Sequence, residues 1–223
     1  MIPWTRLASA RVPHENAQLR LMRRGTEFSI MLGPTELMNS RRTGSERALG
    51  AIGCRHVRDR AGARVLVGGL GMGFTLRAAL AELCAESTVT VVELVPAVID
   101  WARGPMAELF GGCLDDPRVD LRAGDVGAVI RESRGAFDAI LLDVDNGPDG
   151  LTRAANDRLY QPDGLGHAFR ALRPGGVLVI WSSARDEAFT RRLRQAGFGV
   201  EVVSARAGNG RGARDVIWLA ARS

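Results

Sequence analysis

The most restrictive feature of this chain is a turn. Arg64-Val65-Leu66-Val67-Gly68-Gly69 is a short, β-branched apolar run that ends in glycine. Gly69-Leu70-Gly71-Met72-Gly73 then leads into Phe74–Glu86, an Ala- and Leu-rich stretch that reads as a helix. A strand, a glycine-rich turn and a helix in that order let a ligand approach the backbone and the free N–H groups of the helix start. The pattern then repeats. Apolar runs at Thr88–Glu93, Val119–Arg122, Phe137–Val144 and Val177–Trp181 alternate with helical stretches at Pro96–Ala107, Val126–Arg134, Asp157–Leu172 and Arg185–Ala196. Strands that are apolar along their length and separated by helices imply a parallel sheet covered on both faces. Gly199–Ala205 and Asp215–Ala221 flank a Gly/Arg-rich loop, so they are expected to pair antiparallel. The fold class expected is α/β: a Rossmann-like, seven-stranded, mostly parallel sheet with an antiparallel final strand and helices on both faces.

Residues 61–223 are assigned to that sheet domain, and residues 1–60 to an N-terminal segment. Within the segment, residues 17–38 read as a small β-hairpin or meander closed by Gly33-Pro34. Residues 44–60 read as a helix with Ser45 as its N-cap.

Ligands of an open α/β sheet sit at the carboxyl ends of its strands, so the acids there carry most of the functional information. Glu93 ends the second strand, twenty residues beyond Gly73, where a carboxylate accepts hydrogen bonds from a ribose diol. Leu94 follows it. Asp125 ends the third strand region, where an acid can N-cap the next helix, reach an adenine amino group with the Val126 N–H toward a ring nitrogen, or do both. Asp143-Val144-Asp145-Asn146 ends the fourth strand, and strand alternation puts Asp143 and Asp145 on one side. The GxGxG spacing differs from the GxGxxG of dinucleotide-binding turns, which disfavours a nicotinamide or flavin oxidoreductase.

Charge narrows the field further. The chain has 223 residues, a formal net charge of +5, and arginine at all 30 of its basic positions. With no lysine, Schiff-base and lysine-base chemistry are excluded. The basic excess lies outside the sheet: residues 65–181 carry 10 Arg against 16 acids. Aromatics are 5%, too few for the stacking surfaces of a nucleic-acid binder. Cys54, Cys84 and Cys113 have no metal or disulfide spacing and read as free thiols. No apolar run approaches a membrane span, and the N-terminus lacks the apolar core of a signal peptide. The expectations are a cytoplasmic chain with no metal site and no nucleic-acid or membrane partner.

Taken as a set, the residues resemble the class I S-adenosylmethionine-dependent methyltransferase superfamily, and more closely its spermidine synthase branch. The resemblance rests on Val65–Arg77, Val91–Ile99, Pro117-Arg118-Val119, Gly124-Asp125 and Arg173-Pro174-Gly175-Gly176 in order, together with the N-terminal hairpin. It implies that S-adenosylmethionine or its decarboxylated form is held by Gly69, Gly71, Gly73, Glu93, Leu94, Asp125, Val126 and Asp143. It also implies a homodimer. The departures concern the polyamine. An aspartate of the family's glycine-rich loop is Met72 here, the second aspartate of its strand-four motif is Asn146, and its Tyr-His-Glu stretch is Gly44-Ser45-Glu46. Losing those acids favours methyl transfer to a small-molecule acceptor. Asp143, Asp145, Asn146 and Glu46 are then the catalytic candidates, and Arg41 or Arg42 joins Glu46 at the acceptor pocket. Aminopropyl transfer and a non-catalytic cofactor-binding module are the alternatives.

Overall fold

The structure, a computed structural model, describes residues 2–13, 17–144, 154–206 and 214–223. The chain opens with four strands, β1 (Thr5–Arg11), β2 (Gln18–Arg24), β3 (Glu27–Leu32) and β4 (Thr35–Asn39), which form an antiparallel sheet in sequence order. The expected hairpin is the inner part of this larger sheet. β1 escapes a sequence reading because it is an edge strand with largely exposed side chains, so no apolar alternation marks it. Helix α1 (Gly44–Arg55) follows.

The second sheet has seven strands. In chain order come β5 (Arg64–Gly68), α2 (Phe74–Glu82), β6 (Thr88–Glu93), α3 (Pro96–Arg103), the short α4 (Ala107–Phe110), β7 (Val119–Ala123), α5 (Val126–Glu132) and β8 (Phe137–Leu142). Then come α6 (Ala154–Tyr160), α7 (Pro162–Ala171), β9 (Leu172–Ser182), α8 (Glu187–Gln195), β10 (Phe198–Arg206) and β11 (Arg214–Arg222). The spatial order is β10-β11-β9-β8-β5-β6-β7. β5 to β9 are parallel, and β11 runs antiparallel to both its neighbours. The last strand therefore inserts between β9 and β10, and its first residues lie at the same edge as the carboxyl ends of the parallel strands. The helix expected at Asp157–Leu172 is two helices, broken at Gln161-Pro162, because proline at 162 opens a new first turn.

Strand alternation divides the core between the two faces of this sheet. Val65, Val91, Leu141, Val179 and Ile217 point to one side, where they pack with α1, α2, α3 and the N-terminal sheet. Leu66, Ile140, Leu178, Ile180 and Trp218 point to the other, against the helices from α5 to α8. Two glycines let α1 come unusually close. A Cβ on Gly50 would collide with the Thr75 carbonyl oxygen, and one on Gly53 with Leu141. This approach seats the start of α1 over the carboxyl edge of the sheet. Ser45 does not cap α1. Thr43 holds the N-cap position without a side-chain hydrogen bond, and the Ser45 hydroxyl donates to Glu46 instead, at 2.9 Å. Ser45 is the second residue of α1, past the N-cap position, and its hydroxyl turns to the neighbouring carboxylate.

At the opposite edge the sheet is locked by one buried acid. Asp138 is 2% exposed. It accepts from Arg60 at 2.8 Å, from Arg173 at 3.0 Å and from the Arg64 N–H at 2.8 Å. Arg60 and Arg173 come from opposite ends of the sequence, so one carboxylate ties the start of the sheet to β9. No helix among the described residues is long and apolar enough to cross a membrane. Removing the acid strands two half-buried guanidinium groups and one N–H. Asp138→Ala is therefore expected to lower unfolding stability by about 3 kcal/mol, read as a lower urea midpoint at unchanged slope.

Candidate functional site

Two adjoining cavities open at the carboxyl edge of the parallel strands. The larger is about 790 Å³ and is lined by Gly69, Gly71, Glu93, Leu94, Asp125, Val126 and Asp143 from the large sheet. Its roof is apolar and comes from the N-terminal sheet: Val12, Leu19, Ile30, Leu32, Leu37 and Met38. The second, about 620 Å³, is lined by Leu37, Met38, Asn39, Glu46, Gly71, Met72, Phe74, Asp143 and Trp181. Leu37, Met38, Gly71 and Asp143 belong to both, so the cavities meet at Asp143.

The floor of the larger cavity is built from the glycine-rich turn. Gly69 has φ +88°, and a Cβ there would drive into the Asp143 carbonyl oxygen. Only glycine allows β5 and β8 to end so close together. Glu93 is 8% exposed. One of its oxygens accepts the Leu70 N–H and the other the Val95 N–H, each at 2.9 Å. The carboxylate is thereby fixed across the turn. Asp125 caps α5 by accepting the Gly127 N–H at 2.8 Å, and it also lines the cavity, so the expected double duty is geometrically available. Gly73 lies apart from the lining of both cavities. Its φ is +77° and a Cβ there would meet the Phe110 ring at 2.5 Å, so the need for glycine comes from packing.

Asp143 and Glu46 face each other across the junction. Asp143 lies on the sheet face toward α1 and α2, and it accepts from the Thr75 hydroxyl at 2.6 Å. Thr75 is also 3.1 Å from the Glu46 carbonyl oxygen. Burial, with the Glu46 and Glu93 charges nearby, pushes the Asp143 carboxyl up to about 7. Burial also raises Glu46, and nearby Asp215 adds to it. The Glu46 charge thus favours the protonated form of Asp143.

The arginines expected beside Glu46 lie elsewhere. Arg41 points away, into Glu36 at 3.5 Å and over the Trp4 ring at 5.7 Å. Arg42 lines neither cavity and acts on Glu46 only from a distance. The backbone explains this. Asn39 accepts the N–H groups of both Arg41 and Arg42 at 3.0 Å, and the tight turn directs the chain outward before α1 begins. Asp145 and Asn146 lie outside the described residues. Several lining residues have no counterpart in the sequence reading, among them Trp181 near the end of β9 and Phe74 at the start of α2. An aromatic that follows four apolar strand residues gives no separate signal. Among the described residues no group of His, Cys, Asp and Glu side chains could hold a metal ion.

Comparison with known proteins fits this geometry. The family model described as "Spermine/spermidine synthase domain" matches residues 50–190. The polyamine aminopropyltransferase of Mycobacterium tuberculosis is 36% identical over 149 residues, which is 62% of this chain and 28% of that protein. The polyamine aminopropyltransferase of Korarchaeum cryptofilum is 33% identical over 119 residues, 53% of this chain and 35% of that protein. The chain thus spans well under half the length of these curated relatives. Among solved structures, the spermidine synthase from Thermotoga maritima superposes with a TM-score of 0.74 at 16% identity, covering 98% of this chain and 72% of that one. A probable spermidine synthase from Corynebacterium glutamicum gives a TM-score of 0.63 at 18% identity, covering 96% and 79%. At these identities the structures speak to the fold alone. The expectation of a methyltransferase is overturned by the family model and by the curated relatives, whose names are those of aminopropyl-transferring enzymes. It had rested on the acids missing at Met72 and Asn146, which says nothing of acids brought in from α1. A glycine turn, a strand-end Glu93 and a capping Asp125 disposed around one cavity, under a matching family model, lead to one conclusion: the chain belongs to the spermine/spermidine synthase family.

Proposed function

We propose that this chain transfers the aminopropyl group of decarboxylated S-adenosylmethionine to an amine acceptor. One observation carries the reading. The ionisable side chains lining the two cavities are Glu46, Glu93, Asp125 and Asp143, all acids, with no cationic side chain among the described residues that line them. A donor that keeps its carboxylate would put an anion among these acids. The decarboxylated donor carries a sulfonium and an ammonium, and an amine acceptor adds another cation, so both suit the site.

In this reading the larger cavity takes the nucleoside. Glu93 receives the ribose hydroxyls and Asp125 the adenine edge, while Val126 and the aliphatic roof cover the base. Gly69 and Gly71 admit the ligand close to the backbone. The acceptor enters the smaller cavity beside Glu46. Its nitrogen attacks the carbon next to sulfur, a C–N bond forms, the C–S bond breaks, and sulfur leaves with the electron pair as the thioether of methylthioadenosine. The attacking nitrogen must first lose a proton. Asp143 stands where the cavities meet, and a carboxyl raised to about 7 is matched to that task at neutral pH. Thr75 orients it. Much of the remaining acceleration comes from alignment, since the sulfonium is already activated. A homodimer belongs to the same proposal.

The test is product analysis. With decarboxylated S-adenosylmethionine and a series of amines, mass spectrometry should find methylthioadenosine and the aminopropylated amine. S-adenosylhomocysteine formed from the undecarboxylated donor would sink the reading. Glu93→Gln loses one acceptor oxygen and the charge, so its dissociation constant for methylthioadenosine by calorimetry should rise roughly ten- to a hundredfold.

Asp143 makes a paired prediction. Its raised value means the empty folded state holds this proton more tightly than the unfolded chain does. The resulting stability is present at acid pH and lost as pH rises through about 7. Asp143→Asn removes that loss and keeps an acceptor for the Thr75 hydroxyl. The variant should melt with wild type at pH 4 and on the order of a few degrees above it at pH 8. Its turnover should fall at least a hundredfold at pH 8, and the deficit should narrow at acid pH, because wild-type kcat/KM falls below about pH 7.

A further inference from the structure

Strand alternation fails at one place in the roof. Leu37 and Met38 are neighbours on β4, and neighbours on a strand point to opposite faces. Both nevertheless line the larger cavity, and both line the smaller one. The register shows why. Met38 pairs with Ile30 and Glu36 with Met31, so Leu37 is left over between them. An extra residue on one strand of an antiparallel pair is a β-bulge, which bends the strand and re-aims its side chains. Ile30 and Leu32 mark the cavity-facing side of β3. Met38, opposite Ile30, shares that side by pairing, and the bulge adds Leu37 to it.

One carboxylate holds the bulge in place. Glu36, just before the extra residue, accepts from the Ser29 hydroxyl at 2.6 Å and from the Asn39 side-chain amide at 3.0 Å. Ser29 and Asn39 are themselves a cross-strand pair. Glu36 thus spans the bulge from residue 36 to residue 39 and ties it to β3. Arg41 adds its charge at 3.5 Å. Ser29 and Asn39 are buried, so removing the carboxylate withdraws an acceptor from two buried donors. Asn39 passes the constraint on by accepting the N–H groups of Arg41 and Arg42, which lead into α1 and Glu46. Glu36 itself lines neither cavity and reaches them through Leu37, Met38 and Asn39.

Leu37, Met38, Gly71 and Asp143, common to both cavities, frame the opening between them. Met38 closes that opening on the side of the glycine-rich turn. A Cβ on Gly71 would meet the Met38 sulfur at 3.1 Å and its methyl carbon at 3.2 Å. Resting on the aminopropyl-transfer reading, we propose that Glu36 is a positioning residue for the transfer step. By holding the bulge it sets Leu37 and Met38 side by side as a ceiling over the opening, and this ceiling limits the bulk of the attacking nitrogen. A nitrogen bonded to one carbon passes beneath it to Asp143. A nitrogen bonded to two carbons must drive Met38 into the Gly71 backbone. Met38 is then a specificity-determining residue, and Glu36 acts on specificity through it.

The experiment compares 1,4-diaminobutane with its N,N′-dimethyl derivative, which differs only in the bulk of its nitrogens. Wild type should favour the unmethylated amine at least a hundredfold in kcat/KM. Met38→Ala, which opens the ceiling, should cut that preference at least tenfold. Glu36→Ala, which leaves Met38 in place and releases the bulge, should also cut it at least tenfold, whereas a merely structural loss would lower both amines alike. Glu36→Gln keeps the length and an acceptor oxygen and should restore most of the preference. Thermal melting checks that each variant is folded. If Glu36→Ala does not fold, Ser29→Ala, which removes one bond to Glu36, replaces it under the same criterion. Equal use of the two amines by wild type, or an unchanged preference in folded Met38→Ala or Glu36→Ala, overturns the inference and leaves the transfer reading standing. Failure of wild type to form methylthioadenosine with any amine overturns the transfer reading. In that case calorimetry of the two amines on protein saturated with methylthioadenosine still decides the ceiling, because a preference that Met38→Ala leaves intact overturns it.

Discussion

Three parallel strands meet at a single glycine. Gly69 donates its N–H to Val92 at 2.9 Å, Asp143 donates its own to Gly68 at 2.9 Å, and any side chain at 69 would strike the Asp143 carbonyl. The ends of β6, β5 and β8 are thus stitched together where the backbone is densest. Glu93 and Asp143 emerge on either side of that seam. The seam fixes them as a pair, so the separation of Glu93 and Asp143 is set by main-chain geometry. Side chains then only have to adjust orientation, as the two N–H bonds to Glu93 and the Thr75 hydroxyl at Asp143 do.

The site gathers acids at a cost. Asp143, Glu46 and Asp215 all have their ionised forms disfavoured by burial, Asp143 also by Glu46 and Glu93, and Glu46 also by Asp215. The empty protein carries this as lost stability near neutral pH. Two things offset it. The core beneath is continuous on both sheet faces, and Asp138 with its two arginines locks the far edge. A cationic ligand reverses the sign of the interaction, so binding recovers what the empty site loses. Affinity for cations and reduced stability of the empty fold share one cause.

Much of the sheet could be read in the sequence. β5, β6, β8 and β9 are largely buried and so announce themselves as apolar runs, each followed by a helix, while β7 at the sheet edge is half-exposed. Three residues that line the larger cavity were equally legible, because Gly69, Glu93 and Asp125 are each local to a strand end, and their position on the edge follows from topology. The misreadings have a common origin in non-local placement. β1 depends on β2 for its existence. Ser45 looks like a cap in isolation and becomes a partner of Glu46 only when α1 lies on the sheet. Arg41 and Arg42 are adjacent to Glu46 in sequence and diverge from it because Asn39 turns the backbone. Asp215 sits on a strand whose insertion between β9 and β10 no local pattern encodes.

The nature of the transferred group was misjudged for the same reason. The expectation of methyl transfer counted acids within motifs, and Met72 and Asn146 broke the count. Charge in a cavity is a sum over whatever elements reach it. Here α1 brings Glu46 through the close approach allowed by Gly50 and Gly53, and β11 brings Asp215 to the same neighbourhood. An acid lost from the glycine-rich loop removes a charge from one wall, and the apolar Met72 that replaces it leaves room for an aliphatic chain. Acids on other walls keep the field negative. The chemistry of such a pocket follows from its total charge and from where an ammonium is desolvated, and neither quantity belongs to a single motif.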